Sequence, residues 1–108
     1  MDIQIPALTE VPASVLAVLA ERLRQHTRYG HTPDADDAAP PAHLMRRAHV
    51  LALDAADIRC RSSNPADLER ARRKAIQTAA LCLAEIERID RELKPAADKS
   101  FNQGVPRQ

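Results

Sequence analysis

The stretch that opens at Asn64-Pro65 and runs without glycine or a further proline to Lys94-Pro95 limits what this chain can become more than any other feature. Asn64 is a strong helix N-cap, Pro65 suits the first helical position, where a missing N–H costs nothing, and Asp67 lies near the positive end of the helix dipole. Leu68, Ala71 or Arg72, Ala75, Ala79, Cys82, Ile86, Ile89 and Leu93 keep a mostly heptad apolar spacing, which predicts a helix over 65–93. Such a helix is ~43 Å long at ~1.5 Å per residue, more than one short partner can cover. Ala75, Ala79, Ala80 and Ala84 form a small-residue seam that admits another helix at the short end of the usual ~8–10 Å separation.

Two further helices precede it. Pro12 opens the first, predicted over 12–28, with Val15, Leu16, Leu19 and Leu23 as its apolar stripe and Gly30 placed for a left-handed cap. The second is predicted over 41–60, with Leu44, Ala48, Leu51, Ala55 and Ile58 alternating by four and three. Between them HTPDADDAAPP is acidic and proline-broken and reads as a loop of about ten residues, longer than the median connection of ~4–6. Residues 1–11 read as an N-terminal arm carrying Ile3 and Ile5, 1–93 as a single helical domain, and 94–108 as a mobile polar tail with a lone Phe101.

Composition agrees with an all-α class. There are two glycines, one Phe, one Tyr and no Trp, while alanine supplies twenty of the 108 residues and a correspondingly thin core. Three helices with so few large side chains seldom make a self-sufficient core at this size, so a helical-bundle dimer or higher homo-oligomer is expected. Sixteen basic residues against fifteen acidic leave no global field to hold nucleic acid or an anionic membrane. No apolar run exceeds the length of Val15 to Ala20, far short of the ~18–20 residues that cross a bilayer. Asp2 and the lack of a basic start do not suit a secretory signal, and two cysteines twenty-two positions apart read as free thiols in a reducing cytoplasm.

Four sets of residues could carry chemistry. Glu21 shares a helix face with Arg24, Gln25 and Arg28, which reads equally as an ordinary charged face. Asp34, Asp36 and Asp37 are closely spaced carboxylates of the kind that hold magnesium together with its waters and phosphate oxygens, although most acidic loops are simply solvated. Arg70, Arg72, Arg73 and Lys74, with Arg59 and Arg61 before them, could fork onto phosphates or form salt bridges. His26, His31, His43 and His49 have no spacing that suits zinc.

In order along the chain, Glu21-Arg22-Leu23-Arg24-Gln25, then Gly30-His31-Thr32-Pro33-Asp34-Ala35-Asp36-Asp37, then Arg72-Arg73 through Ala84-Glu85-Ile86-Glu87-Arg88-Ile89-Asp90-Arg91 carry a resemblance. Over about residues 15–91 the chain resembles the MazG-like, all-α nucleoside triphosphate pyrophosphohydrolases of phages and prophages. That resemblance implies an oligomeric helical fold acting in the cytoplasm of a bacterial host. It also implies Mg²⁺-dependent hydrolysis of a (deoxy)nucleoside triphosphate to the monophosphate and pyrophosphate. Glu21, Asp36 and Asp37 would then be metal ligands, with Glu21 and Asp37 catalytic. Arg24, Arg72, Arg73 and Lys74 would contact the substrate.

The chain departs from the family at positions that matter. His43 stands where the family has the glutamate of its GEL motif, Lys74 and Gln77 stand for the Asp and Lys of RRDLVK, and the tryptophan-rich segment before the last helix is absent. A lysine in place of an acidic ligand removes an oxygen donor and reverses the local charge. The alternative expectation is therefore a non-catalytic phage or prophage relative that binds a host or phage protein in regulation or counter-defence.

Overall fold

The computed structural model describes residues 11–28 and 33–104, with side chains described over 11–27 and 34–94. The described chain is all-α: α1 (Ala13–Arg28), α2 (Pro33–Ala38), α3 (His43–Arg61) and α4 (Pro65–Gly104), with no strand among the described residues. None of these helices is long and apolar enough to cross a membrane. The expected arm, save Val11, and the Gly30 cap lie outside the described residues.

Helix α4 organises everything else. Its start is built as its sequence dictates: the Asp67 amide donates to Asn64 Oδ1 at 2.9 Å and Asn64 Nδ2 returns a bond to Asp67 Oδ2 at 3.0 Å, so cap and first turn hold each other. The Ser62 hydroxyl, then Arg70 and Asn64, hold the Asp67 carboxyl below its ordinary value. The short turn before Asn64 folds α3 back antiparallel on α4, which sets Leu44 beside Leu81 and Ala84 in the core. Leu44 and Ala48 are buried and Leu51 packs against them, as the four-three alternation predicts. Ala80 and Ala84 are fully covered and allow this close approach. Of the expected seam, Ala75 is exposed and Ala79 half-buried.

Three expectations are corrected. The acidic segment expected as a loop contains a helix, α2, because Pro33 can occupy the first helical position and Asp34 and Asp36 sit in the first turn, where the dipole favours carboxylates. The last helix does not stop before Pro95, and the backbone stays helical to Gly104. A proline inside a helix costs about 3 kcal/mol, and Ala96, Ala97 and Lys99 beside it are good helix formers. The α1 stripe is not core, since Val15, Leu16, Leu19 and Leu23 all remain exposed, Leu23 by 63%. Helix α1 instead turns an adjacent face inward: Arg22 pairs with Glu87 of α4, Gln25 is buried, and Val18 lines a groove with Ala79, Cys82 and Leu83.

Arginines fasten α2 to this frame. Arg88 is only 5% exposed and its guanidinium donates to three carbonyls at the end of α2 and just beyond: Ala39 at 2.8 Å, Pro40 at 3.3 Å and Asp37 at 3.4 Å. A cation is thereby placed at the negative end of the short helix, on carbonyls that the helix itself cannot satisfy. Arg22 reaches the buried Asp36 at 3.4 Å and Glu87 at 3.0 Å, while Arg91 forks onto Asp37 at 2.8 and 3.0 Å. Arg88→Ala is expected to leave the Asp37 and Ala39 carbonyls without this donor, the Pro40 carbonyl keeping the His43 N–H at 2.9 Å, and to cost about 3 kcal/mol in urea denaturation. An unchanged midpoint would show that Arg88 does not hold α2.

Candidate functional site

A cavity of about 230 Å³ opens where α1, α3 and α4 meet. Helical spacing brings its walls together: Glu21, Arg24 and Gln25 are three and four apart on α1, Arg47 and Leu51 are four apart on α3, and Gln77 and Leu81 are four apart on α4. Leu81 belongs to the apolar core and Leu51 packs against it, so the polar groups stand on an apolar floor.

Glu21 is fully engaged. Arg24 Nε donates to its Oε1 at 2.8 Å and Arg24 Nη2 to its Oε2 at 2.7 Å, a bidentate fork that Gln25 Nε2 supplements at 3.2 Å. That last bond orients the Gln25 amide and leaves its Oε1 buried with no hydrogen-bond partner, in a side chain only 6% exposed. A buried acceptor without a donor costs roughly 1–3 kcal/mol, so this oxygen is a place where an incoming N–H, O–H or water is favoured. Arg47 is exposed at the rim and makes no hydrogen bond or ion pair within the described residues, and neither Oε1 nor Nε2 of the Gln77 amide makes a hydrogen bond among them. One carboxylate against two guanidiniums gives the cavity a net positive charge.

The residues singled out from sequence separate into three groups. Glu21, Arg24 and Gln77 come together in the cavity, although they lie as much as fifty-six positions apart in the chain. Asp36 and Asp37 lie instead on α2, held by Arg22 and Arg91. Among the described residues no group of three or more His, Cys, Asp or Glu side chains could hold a metal ion. Both Glu21 oxygens accept from Arg24 and both Asp37 oxygens from Arg91, and Glu21 lines the cavity apart from Asp36 and Asp37 on α2. Arg72 lines a separate groove with Arg59, Lys74 lies 3.7 Å from Asp54, and Arg73 is exposed one turn before Gln77. His43 is exposed at the first residue of α3.

Sequence reading did not single out Arg47. Its signal was the phase of α3: Arg47 follows Leu44 by three and precedes Leu51 by four, so it shares the side of the helix that bears the core.

No protein-family profile, curated protein or solved structure matches the chain.

The ion pairs of α2 carry a pH signature. The Arg91 hydrogen bonds hold the Asp37 carboxyl below its ordinary value of 3.8. A carboxyl lowered on folding stabilises fully above its unfolded value and loses that contribution as pH falls through the folded one. Asp37→Asn is therefore expected to lower stability at pH 7 while leaving less to lose between pH 4 and pH 2. Equal acid sensitivity of the two proteins in thermal melts would remove this assignment.

Proposed function

We propose that the chain is a MazG-like nucleotide-binding protein whose α1–α3–α4 cavity holds the phosphorylated end of a nucleoside triphosphate without the family's metal cage. The observation that carries this reading is the convergence of Glu21, Arg24 and Gln25 with Gln77 around one positively charged cavity, to which Arg47 adds an unengaged guanidinium. These are the first and last segments of the resemblance, and α3 supplies the third wall. Arg47 is the phosphate contact, because a free guanidinium forks onto an oxyanion. Gln25 Oε1 accepts a hydrogen bond from a ligand hydroxyl or a bridging water. Arg73, one helical turn from Gln77, extends the positive wall.

The same arrangement favours binding over hydrolysis. A water attacking between phosphoryl groups needs a metal or carboxylate to orient it and to offset phosphate charge. In this chain Glu21 and Asp37 are each held by an arginine fork, and the family's acidic position is Lys74. The protein works as a homo-oligomer in the host cytoplasm on this reading.

Titration calorimetry with canonical (deoxy)nucleoside triphosphates and pyrophosphate, in EDTA and again in Mg²⁺, tests the proposal. Binding is expected without a divalent ion. Arg47→Ala is expected to weaken it about 10- to 100-fold, the loss of one or two charge-assisted hydrogen bonds. Absence of binding across the panel by folded protein sinks the reading, and pyrophosphate release in Mg²⁺ or Mn²⁺ sinks its non-catalytic part.

A further inference from the structure

Helix α4 has two apolar faces, and its own chain covers one. The inner face buries Ala71, Ala80, Leu81 and Ala84. The outer face carries Leu68, Ala75, Cys82 and Ile89 at one heptad position and Arg72, Ala79, Ile86 and Leu93 at the other, alternating by four and three over four heptads. Most of this stripe is left to solvent: Leu68 and Ile89 are exposed, Ile86 is 54% exposed and Leu93 62%, while Ala79 and Cys82 at its middle are half-buried, Cys82 against the edge of the core cluster. Beside the middle of this stripe, Val15, Val18 and Leu19 of α1 form a second wall, leaving an apolar groove at Ala79, Cys82 and Leu83.

We propose that this groove and stripe receive α4 of a second copy of the chain, running antiparallel, so that α1 and α4 of both copies form a four-helix bundle. This deepens the homo-oligomer part of the reading above and is independent of the nucleotide, since Gln77 and Leu81 face the cavity from the other side of α4.

Size and charge both select the second copy and its direction. After Leu68 and Arg72 the stripe is small just before its midpoint, at Ala75 and Ala79, and large beyond Cys82, at Ile86, Ile89 and Leu93. A two-fold axis between residues 79 and 82 sets Ala79 against Cys82 and Ala75 against Ile86 of the other copy, so the central layers have similar volumes and the helices stay evenly spaced. A parallel pair would stack Ala75 on Ala75 and Ile86 on Ile86 and leave a gap at Ala75 and Ala79. Arg72, the one charged residue of the stripe, comes to lie in the antiparallel register beside Glu85 and Asp90 of the second copy. None of these three has an ion pair within the described residues. Opposite charges flanking an apolar seam fix register and direction.

Cysteine cross-linking reads the arrangement directly. In a background with Cys60→Ser and Cys82→Ser, Ala75→Cys and Ile86→Cys are made separately and together. Within one helix these positions are about 16 Å apart at 1.5 Å per residue, too far to bridge within the chain. The double variant is expected to give a disulfide-linked dimer on mild oxidation, and neither single variant is expected to do so. Cross-linking of the single variants would show a parallel pair and overturn the proposal. Doubled mass in light scattering without any cross-link would keep self-association and sink this interface, and a monomer at tens of micromolar would sink both. Ile86→Glu is expected to give a monomer of unchanged helical circular dichroism with nucleotide affinity within threefold. If that variant stays dimeric, the interface lies elsewhere.

Discussion

The described fold depends on one buried guanidinium. Arg88 stands on the inner face of α4, one turn beyond Ala84, and closes the carbonyl end of α2 and the start of the connection to α3. An arginine is suited to this work because its planar fork donates several hydrogen bonds at once and cannot lose its charge. Without it, α2 would have no means of ending beside an apolar core, because its last carbonyls would face α4 unsatisfied. The position of α2 then decides what its carboxylates can do. Asp36 is turned inward to 3% exposure with Arg22, and Asp37 meets Arg91 one turn after Arg88.

Alanine explains both the closeness and the incompleteness of the packing. At Ala80 and Ala84 the missing side chains let α3 lie directly on α4. Each alanine also contributes little apolar area, and Leu44 and Leu81 are the only leucines in the buried cluster. The larger apolar side chains of the chain, Leu16, Leu19, Leu23, Ile86 and Leu93 among them, are spent on the outside. A chain that invests its bulk on an outer heptad face gains stability only when that face is covered.

What the sequence made legible followed local rules. The Asn64 cap and the α3 stripe depend on residues within four positions of each other, and both stand as their spacing demands. Helix α2 was hidden because its six residues owe their end to Arg88, some fifty positions away, and prolines on both sides imitate a loop. The α1 and α4 stripes were visible as stripes, but periodicity cannot say whether an apolar face meets its own chain or another. The candidate site was half legible: ERLRQ drew attention to Glu21 and Arg24, and the departure at Gln77 marked the facing wall. Nothing local showed that Arg24 forks onto Glu21, since the same three-residue spacing serves a solvated pair or a displaced one.

That fork bears on whether the cavity prefers a cation or an anion. For Glu21 to ligate a metal ion it must first leave two charge-assisted hydrogen bonds from Arg24 and a third bond from Gln25, each of the charged ones worth about 1.5–3 kcal/mol. The freed guanidinium of Arg24 would then stand beside the ion and repel it. A metal could repay this only with further carboxylates, and the neighbouring positions offer Arg47 and Gln77 in their place. An anion meets the opposite balance. Glu21 keeps its partner, Arg47 gains one, and Gln25 Oε1, the one buried side-chain acceptor without a donor among the described residues, asks for a hydroxyl or water that a hydrated phosphoester can bring. The charge that remains in the cavity is therefore suited to an anion better than to a cation, which is the balance the proposed reading requires.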